Sequence, residues 1–135
     1  MIILIDTNRI VDFFKGVEET NQIINKSERI YVSFITLGEL RAGFLSGKKG
    51  FENEKLLIQL LNSPRVEVIY PTEETTHHYA RLFSQLRHQG TPIPTNDIWI
   101  GALCLQHDLP LYTRDDHFKN IPQLVYYKKD TSKQW

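Results

Sequence analysis

Met1-Ile-Ile-Leu-Ile5-Asp6-Thr7-Asn8 decides the fold of this chain. Ile2–Ile5 is a continuous apolar run, the pattern of a strand covered on both faces. It stops at an acid, and Arg9–Phe14 then begins a helix that Gly16 can end. The same alternation continues along the chain. Glu18–Asn25 reads as a short helix, Ile30–Ser33 as a strand and Thr36–Leu45 as a helix with Leu37, Leu40 and Phe44 on one stripe. The stretch from Gly43 to Gly50 reads as a loop, and Phe51–Leu61 as a helix stopped by Ser63-Pro64. Val66–Tyr70 is a third strand, Glu73–Arg87 a helix, and Gly90–Pro94 a rigid extended loop. Asp97–His107 is the most apolar helix and is expected to sit centrally. Leu111–Thr113 is a strand, Leu124–Tyr127 a last edge strand, and Lys128–Trp135 a polar tail. Strands alternating with helices imply an α/β fold, a mainly parallel sheet between two helical layers, over a single domain spanning 1–135.

Composition narrows the possibilities. A length of 135 residues suits one domain with one real core. The lone cysteine, Cys104, permits no internal disulfide, and a reducing cytoplasm is the expected location. Met1–Ile5 is too short for a signal peptide, and no segment approaches the roughly 20 apolar residues of a membrane span. A formal net charge of zero argues against a general nucleic-acid coat protein, but not against an enzyme that grips one phosphate.

Four acids fall where an open α/β sheet places its ligands, outside the carboxyl ends of the strands: Asp6, Glu39, Asp97 and Asp115. Each has an ordinary role open to it. Thr36-Leu-Gly-Glu39 fits a capping box, and the other three can be acids at helix N-termini. Caps alone do not require an acid at the end of a buried strand, where Ser or Thr would serve with less desolvation. Several carboxylates on one rim raise each other's pKa, and a cation relieves the repulsion. Hard oxygen donors suit Mg²⁺ or Mn²⁺. Thr7, Asn8, Asn96 and Thr113 lie beside these acids and can orient them. Arg9 and Arg114 are candidates for phosphate contact, with ion pairing as the alternative. Asp12 reads as a surface charge or an ion-pair partner, His117 as a surface residue, Asp116 as a solvated first-turn acid and Asp108 as a turn residue. The five histidines show no zinc spacing, and Gly43–Lys49 lacks the glycine spacing of a phosphate loop.

These motifs together resemble the PIN-domain nucleases, in particular VapC-type toxins of toxin–antitoxin systems. The matching stretches are Asp6-Thr7-Asn8, Ser33-Phe-Ile-Thr36-Leu-Gly-Glu39-Leu40, Pro94-Thr-Asn-Asp97-Ile-Trp-Ile-Gly-Ala102 and Leu111-Tyr-Thr113-Arg-Asp115-Asp-His-Phe118. The resemblance covers nearly the whole chain. It implies an α/β/α sandwich, RNA cleavage dependent on Mg²⁺ or Mn²⁺, a homodimer and inhibition by a small antitoxin. The family's acidic positions fall on Asp6, Glu39, Asp97 and Asp115, with Asp116 as the alternative to Asp115. Phe44, Phe51 and Leu57 are candidates for antitoxin contact. Two other functions stand beside this one. An aspartyl-phosphate phosphatase would need a second acid at Asn8. A PIN-like RNA-processing nuclease or non-cleaving RNA-binding module would act outside a toxin system.

Overall fold

The computed structural model describes residues 1–128, so the predicted polar tail lies, beyond Lys128, outside the described residues. The strands are β1 (Ile2–Ile5), β2 (Arg29–Ser33), β3 (Val66–Ile69), β4 (Leu111–Tyr112) and β5 (Tyr126–Tyr127). They form one sheet in the order β3-β2-β1-β4-β5, and every pairing is parallel. The helices are α1 (Thr7–Phe14), α2 (Glu18–Lys26), α3 (Phe34–Ser46), α4 (Gly50–Leu61), α5 (Glu73–Gln89) and α6 (Thr95–His107).

Side chains alternate across a strand, so the central strand feeds two cores. Ile3 and Ile5 pack with Ile10, Ile23, Leu40 and Leu57, beneath α1–α4. Leu4 packs on the opposite face with Leu82, Leu86, Ile100 and Phe118, beneath α5 and α6. The result is the expected three-layer α/β/α sandwich, and its continuous apolar β1 follows from coverage on both faces. Among the described residues no helix is long and apolar enough to cross a membrane.

The chain runs outward from β1 through β2 to β3, then returns to place β4 on the other side of β1. The strand order reverses between β1 and β4, and such a reversal opens a crevice at the carboxyl ends.

Several local expectations need correction. Helix α3 starts at Phe34 rather than Thr36, because Ser33 Oγ accepts the Thr36 N–H at 3.0 Å and caps it. Thr36 is therefore not the cap, and Glu39 is released from the capping box. The expected loop from Gly43 to Gly50 is largely helical, with only a short break between α3 and α4. A Cβ on Gly50 would lie 2.4 Å from the Phe44 carbonyl oxygen, so the tight return between these helices depends on glycine there. A 3-10 turn at Asp116–Asn120 was not expected. Leu57 is wholly buried in the core and cannot be a partner contact, whereas Phe51 is exposed and Phe44 half-buried.

Candidate functional site

Asp6 leaves the end of β1 as the N-cap of α1, its Oδ1 accepting the Thr7 N–H at 2.8 Å. Its other oxygen accepts the Thr113 hydroxyl at 2.7 Å across the β1–β4 crevice. The Asn8 amide donates to that same oxygen at 3.4 Å and to Thr113 Oγ1 at 3.3 Å. The residue two after Asp6 is thus a positioning amide, not the acid–base group a phosphatase would need.

Burial is the main influence on Asp6. It pushes the carboxyl from an ordinary 3.8 up to about 6, against the pull of the Thr113 and Thr7 hydrogen bonds. The charges of Asp97 and Glu39 push the same way. Burial also raises Asp97, opposed by its His117 hydrogen bond, with Asp115 and Glu39 adding repulsion. All four predicted acids therefore share one site.

Glu39 reaches the cluster from the second turn of α3. Its Oε1 accepts the Thr7 hydroxyl at 2.6 Å, and its Oε2 accepts the Asn96 amide at 3.4 Å. Asp97 stands in the first turn of α6. Asp115 follows β4 and caps the 3-10 turn by accepting the His117 N–H at 2.9 Å. Capping and clustering are thus compatible roles, because strand-to-helix junctions on one rim supply both. Asp116 points away and pairs with Lys128 at 2.7 Å, which leaves Asp115 as the fourth acid.

His117 is at the surface as expected, half-exposed, and it also joins the acidic cluster. Its Nδ1 lies 3.0 Å from Asp97 Oδ2 and 3.1 Å from Asp115 Oδ1. The Asp97 hydrogen bond is the first cause that raises its pKa, and a proton on the ring would place a positive charge between two carboxylates. The two-residue step from Asp115 to His117 was the available signal, since it fits an Asx-type turn that folds the ring back.

Arg9 is another correction. Its buried guanidinium pairs with Asp12 at 3.2 Å, bonds the Lys128 carbonyl and lies 4.6 Å from the Tyr112 ring centroid. It cannot reach a phosphate. Asp12 is the ion-pair partner of its two readings, buried rather than a surface charge, and it also accepts Arg114 Nε at 2.8 Å. Arg114 remains half-exposed beside the acids. Asp108 takes the left-handed turn conformation at the end of α6, as a turn residue there should.

The donor set fits a hard divalent cation. It is made of carboxylate oxygens held by hydroxyl and amide groups, and its most buried member carries an unfavourable charge that a cation would offset. Asp97, Asp115 and His117 present ligand atoms within 4.8 Å of one another. Cys104 takes no part, because burial raises its thiol pKa and keeps it neutral.

Comparison with known proteins gives the same picture. The PIN domain family pattern matches residues 3–124. A protein named Ribonuclease VapC1 from Haemophilus influenzae (strain R2866) is 35% identical over 132 residues, covering 93% of this chain and 96% of that protein. The crystal structure of VapBC2 from Rickettsia felis, bound to a DNA fragment from its promoter, contains a chain of TM-score 0.84 and 29% identity. That alignment covers 96% of this chain and 100% of the other. A toxin-antitoxin complex from Klebsiella pneumoniae contains a chain of TM-score 0.71 and 26% identity, covering 91% and 95%. With the motifs, the sheet order and the acidic rim all in agreement, this chain belongs to the PIN-domain family, among the VapC proteins.

Proposed function

We propose that this chain is a single ribonuclease unit that hydrolyses RNA phosphodiester bonds with Mg²⁺ or Mn²⁺. In the same reading it works as a homodimer in the cytoplasm and is the toxin of a pair whose small antitoxin restrains it. The observation that carries the reading is the buried Asp6 carboxyl, held by Thr113 on the same rim as Glu39, Asp97 and Asp115. A site that concentrates repelling acids in a crevice suits cation-assisted phosphate chemistry. The named ribonuclease relative and the toxin-antitoxin complex support the toxin role.

Asp6, Asp97 and Asp115 would hold the cation, with Glu39 as a further ligand or the group that orients the attacking water. A bound divalent cation supplies Lewis acidity, eases deprotonation of water and takes up charge developing on the phosphate. Thr113 fixes the Asp6 carboxylate, and Thr7 and Asn96 fix that of Glu39. Fixed carboxylates reorganise little as charge shifts during the reaction. The purified protein should cleave RNA with Mg²⁺ or Mn²⁺ and stop when a chelator is added. Expression alone should arrest growth, and co-expression with the neighbouring small gene should relieve the arrest. Harmless expression of abundant, folded protein would rule out the toxin role.

Cation binding should also be visible without RNA. A ligand that binds only the folded state at about a hundred times its Kd adds ~2.7 kcal/mol of stability. The melting temperature should therefore rise on adding Mn²⁺ at pH 7.5. The rise should fade as the pH falls through about 6, where Asp6 takes up its proton and competes with the cation. A melting curve indifferent to Mn²⁺ at concentrations that support cleavage would remove the direct-binding mechanism.

A further inference from the structure

His117 brings a different kind of atom to the acidic rim. Its Nδ1 lies 3.0 Å from Asp97 Oδ2 and 3.1 Å from Asp115 Oδ1. One ligand atom from each of these three residues falls within a span of 4.8 Å. The turn holds the ring there independently of Asp97. The His117 N–H donates to Asp115 Oδ1 at 2.9 Å, and the Asp115 N–H donates to Thr113 Oγ1 at 2.9 Å. Phe118, the next residue, is wholly buried in the core and pins the turn from below. Thr113 also donates to Asp6 at 2.7 Å, so the His117 turn and the central acid share one anchor.

We propose that His117 Nδ1 is a direct ligand of a bound divalent cation, in a mixed nitrogen–oxygen set with Asp97 and Asp115 that favours Mn²⁺ over Mg²⁺. The proposal rests on the cation-assisted reading and adds a ligand and a choice between the two ions. Geometry is the first reason. Atoms on neighbouring corners of an octahedral ion, with bonds of about 2.1 Å, lie roughly 3.0 Å apart. Both contacts of Nδ1 have that spacing. Hydrogen counting is the second. Nδ1 carries at most one hydrogen, which cannot point at two carboxylates at once, whereas one cation serves the lone pairs of all three groups. Exposure is the third. The ring is half-exposed, so water can accept the hydrogen on Nε2, the outer contact that a metal-bound imidazole needs. The preference follows from the donor. Mg²⁺ keeps to oxygen ligands and gives up its waters reluctantly, whereas divalent transition ions accept imidazole nitrogen. A rim of carboxylates alone would separate the two ions less.

Binding and spectroscopy on the full chain, without an affinity tag and at pH 7.5, test this apart from cleavage. Calorimetric titration gives the Kd of Mn²⁺ and of Mg²⁺. Pulsed electron paramagnetic resonance of the Mn²⁺-loaded protein detects a nitrogen bound to the ion. Wild type should show that nitrogen coupling, and labelling histidine with ¹⁵N should change it. His117→Asn keeps an amide that can reach Asp97 but removes the imidazole. The variant should lose the coupling and raise the Mn²⁺ Kd by about 10-fold or more, with the Mg²⁺ Kd changed by less than about threefold. Its melting temperature in chelator should show a folded protein, since the side chain is half-exposed. A ring that only oriented the two carboxylates would weaken both ions alike, and that result would overturn the proposal. So would a nitrogen coupling that survives in His117→Asn. Mn²⁺-loaded wild type without any nitrogen coupling would overturn it too, and that measurement needs no variant. A wild type that binds neither ion would remove the cation reading itself. A wild type that binds Mn²⁺ through oxygen alone would remove only the His117 ligand.

Discussion

Asp6→Asn should lower RNA cleavage by about a thousandfold or more while the metal-free protein melts higher at neutral pH. The activity loss follows from removing a charged ligand, since cation stabilisation of a phosphoryl transition state is worth several kcal/mol, ~1.4 for each factor of ten. The stability gain follows from linkage. Asp6 has a folded pKa of about 6 against an ordinary 3.8, so the folded state holds this proton more tightly than the unfolded state. Stability from this group is therefore greatest below 3.8, falls as the pH rises towards 6, and stays low above that. The full difference is on the order of 3 kcal/mol at neutral pH. Asparagine recovers only part of it. Its Nδ2 would face Thr113 Oγ1, which already accepts from the Asp115 N–H and the Asn8 amide. A gain of ~1 kcal/mol at pH 7.5 that disappears near pH 4 is the expected result. Melting curves in chelator across that range check it, alongside cleavage assays in Mn²⁺. Asp97→Asn should lose activity similarly but gain less stability, because it also weakens the His117 contact. An Asp6→Asn protein that still cleaves RNA at the wild-type rate would exclude the cation mechanism at this rim.

The sheet and the acidic rim were legible because their signals are local. An apolar run ending in Asp6 specifies both a doubly covered strand and the residue at its carboxyl end. The Asp97 helix is apolar around most of its circumference, which placed it centrally. The small polar residues beside the acids were legible as positioning groups, although only Asn8 orients the acid next to it in sequence, while Thr113 reaches back to Asp6 and Thr7 and Asn96 both serve Glu39. What escaped depends on contacts between distant parts of the chain. The Ser33 cap displaced the equally plausible Thr36-to-Glu39 box, and only the position of Thr7 shows why Glu39 turns towards the crevice instead. Leu57 sits on a helix with several exposed apolar residues, and its burial depends on which face of α4 meets the sheet. His117 bridges Asp97 and Asp115 through a turn too short to leave a periodic pattern. Arg9 and Asp12 belong to the same class. Both lie on α1 where a sequence pattern places solvent, yet β4, Arg114 and the chain at Lys128 close over them.

That closure makes Asp12 the residue whose truncation should cost the fold most. Asp12→Ala should destabilise the protein by ~3–5 kcal/mol, the penalty for leaving one member of a buried ion pair without its partner. The Arg9 side chain is 6% exposed and that of Asp12 is 10% exposed, so water cannot replace the lost carboxylate. Among the described residues Arg9 Nε has no hydrogen-bond partner, which leaves the guanidinium the Lys128 carbonyl and the Tyr112 face beside Asp12. Arg114 should suffer less, because its half-exposed guanidinium can turn to solvent. Replacing both buried partners separates the penalty of an orphaned charge from any net worth of the pair. Arg9→Met combined with Asp12→Ala should recover most of the loss, since no uncompensated charge remains in the interior. Denaturant unfolding of the two single variants and the double variant in chelator measures the cycle. An Asp12→Ala protein within about 1 kcal/mol of wild type would mean that water reaches Arg9, because an exposed pair is worth no more than that. The acids of the cation site and this ion pair then stand in opposite relation to stability. Neutralising Asp6 relieves a buried charge that lacks a counterion in the metal-free fold, whereas neutralising Asp12 creates one.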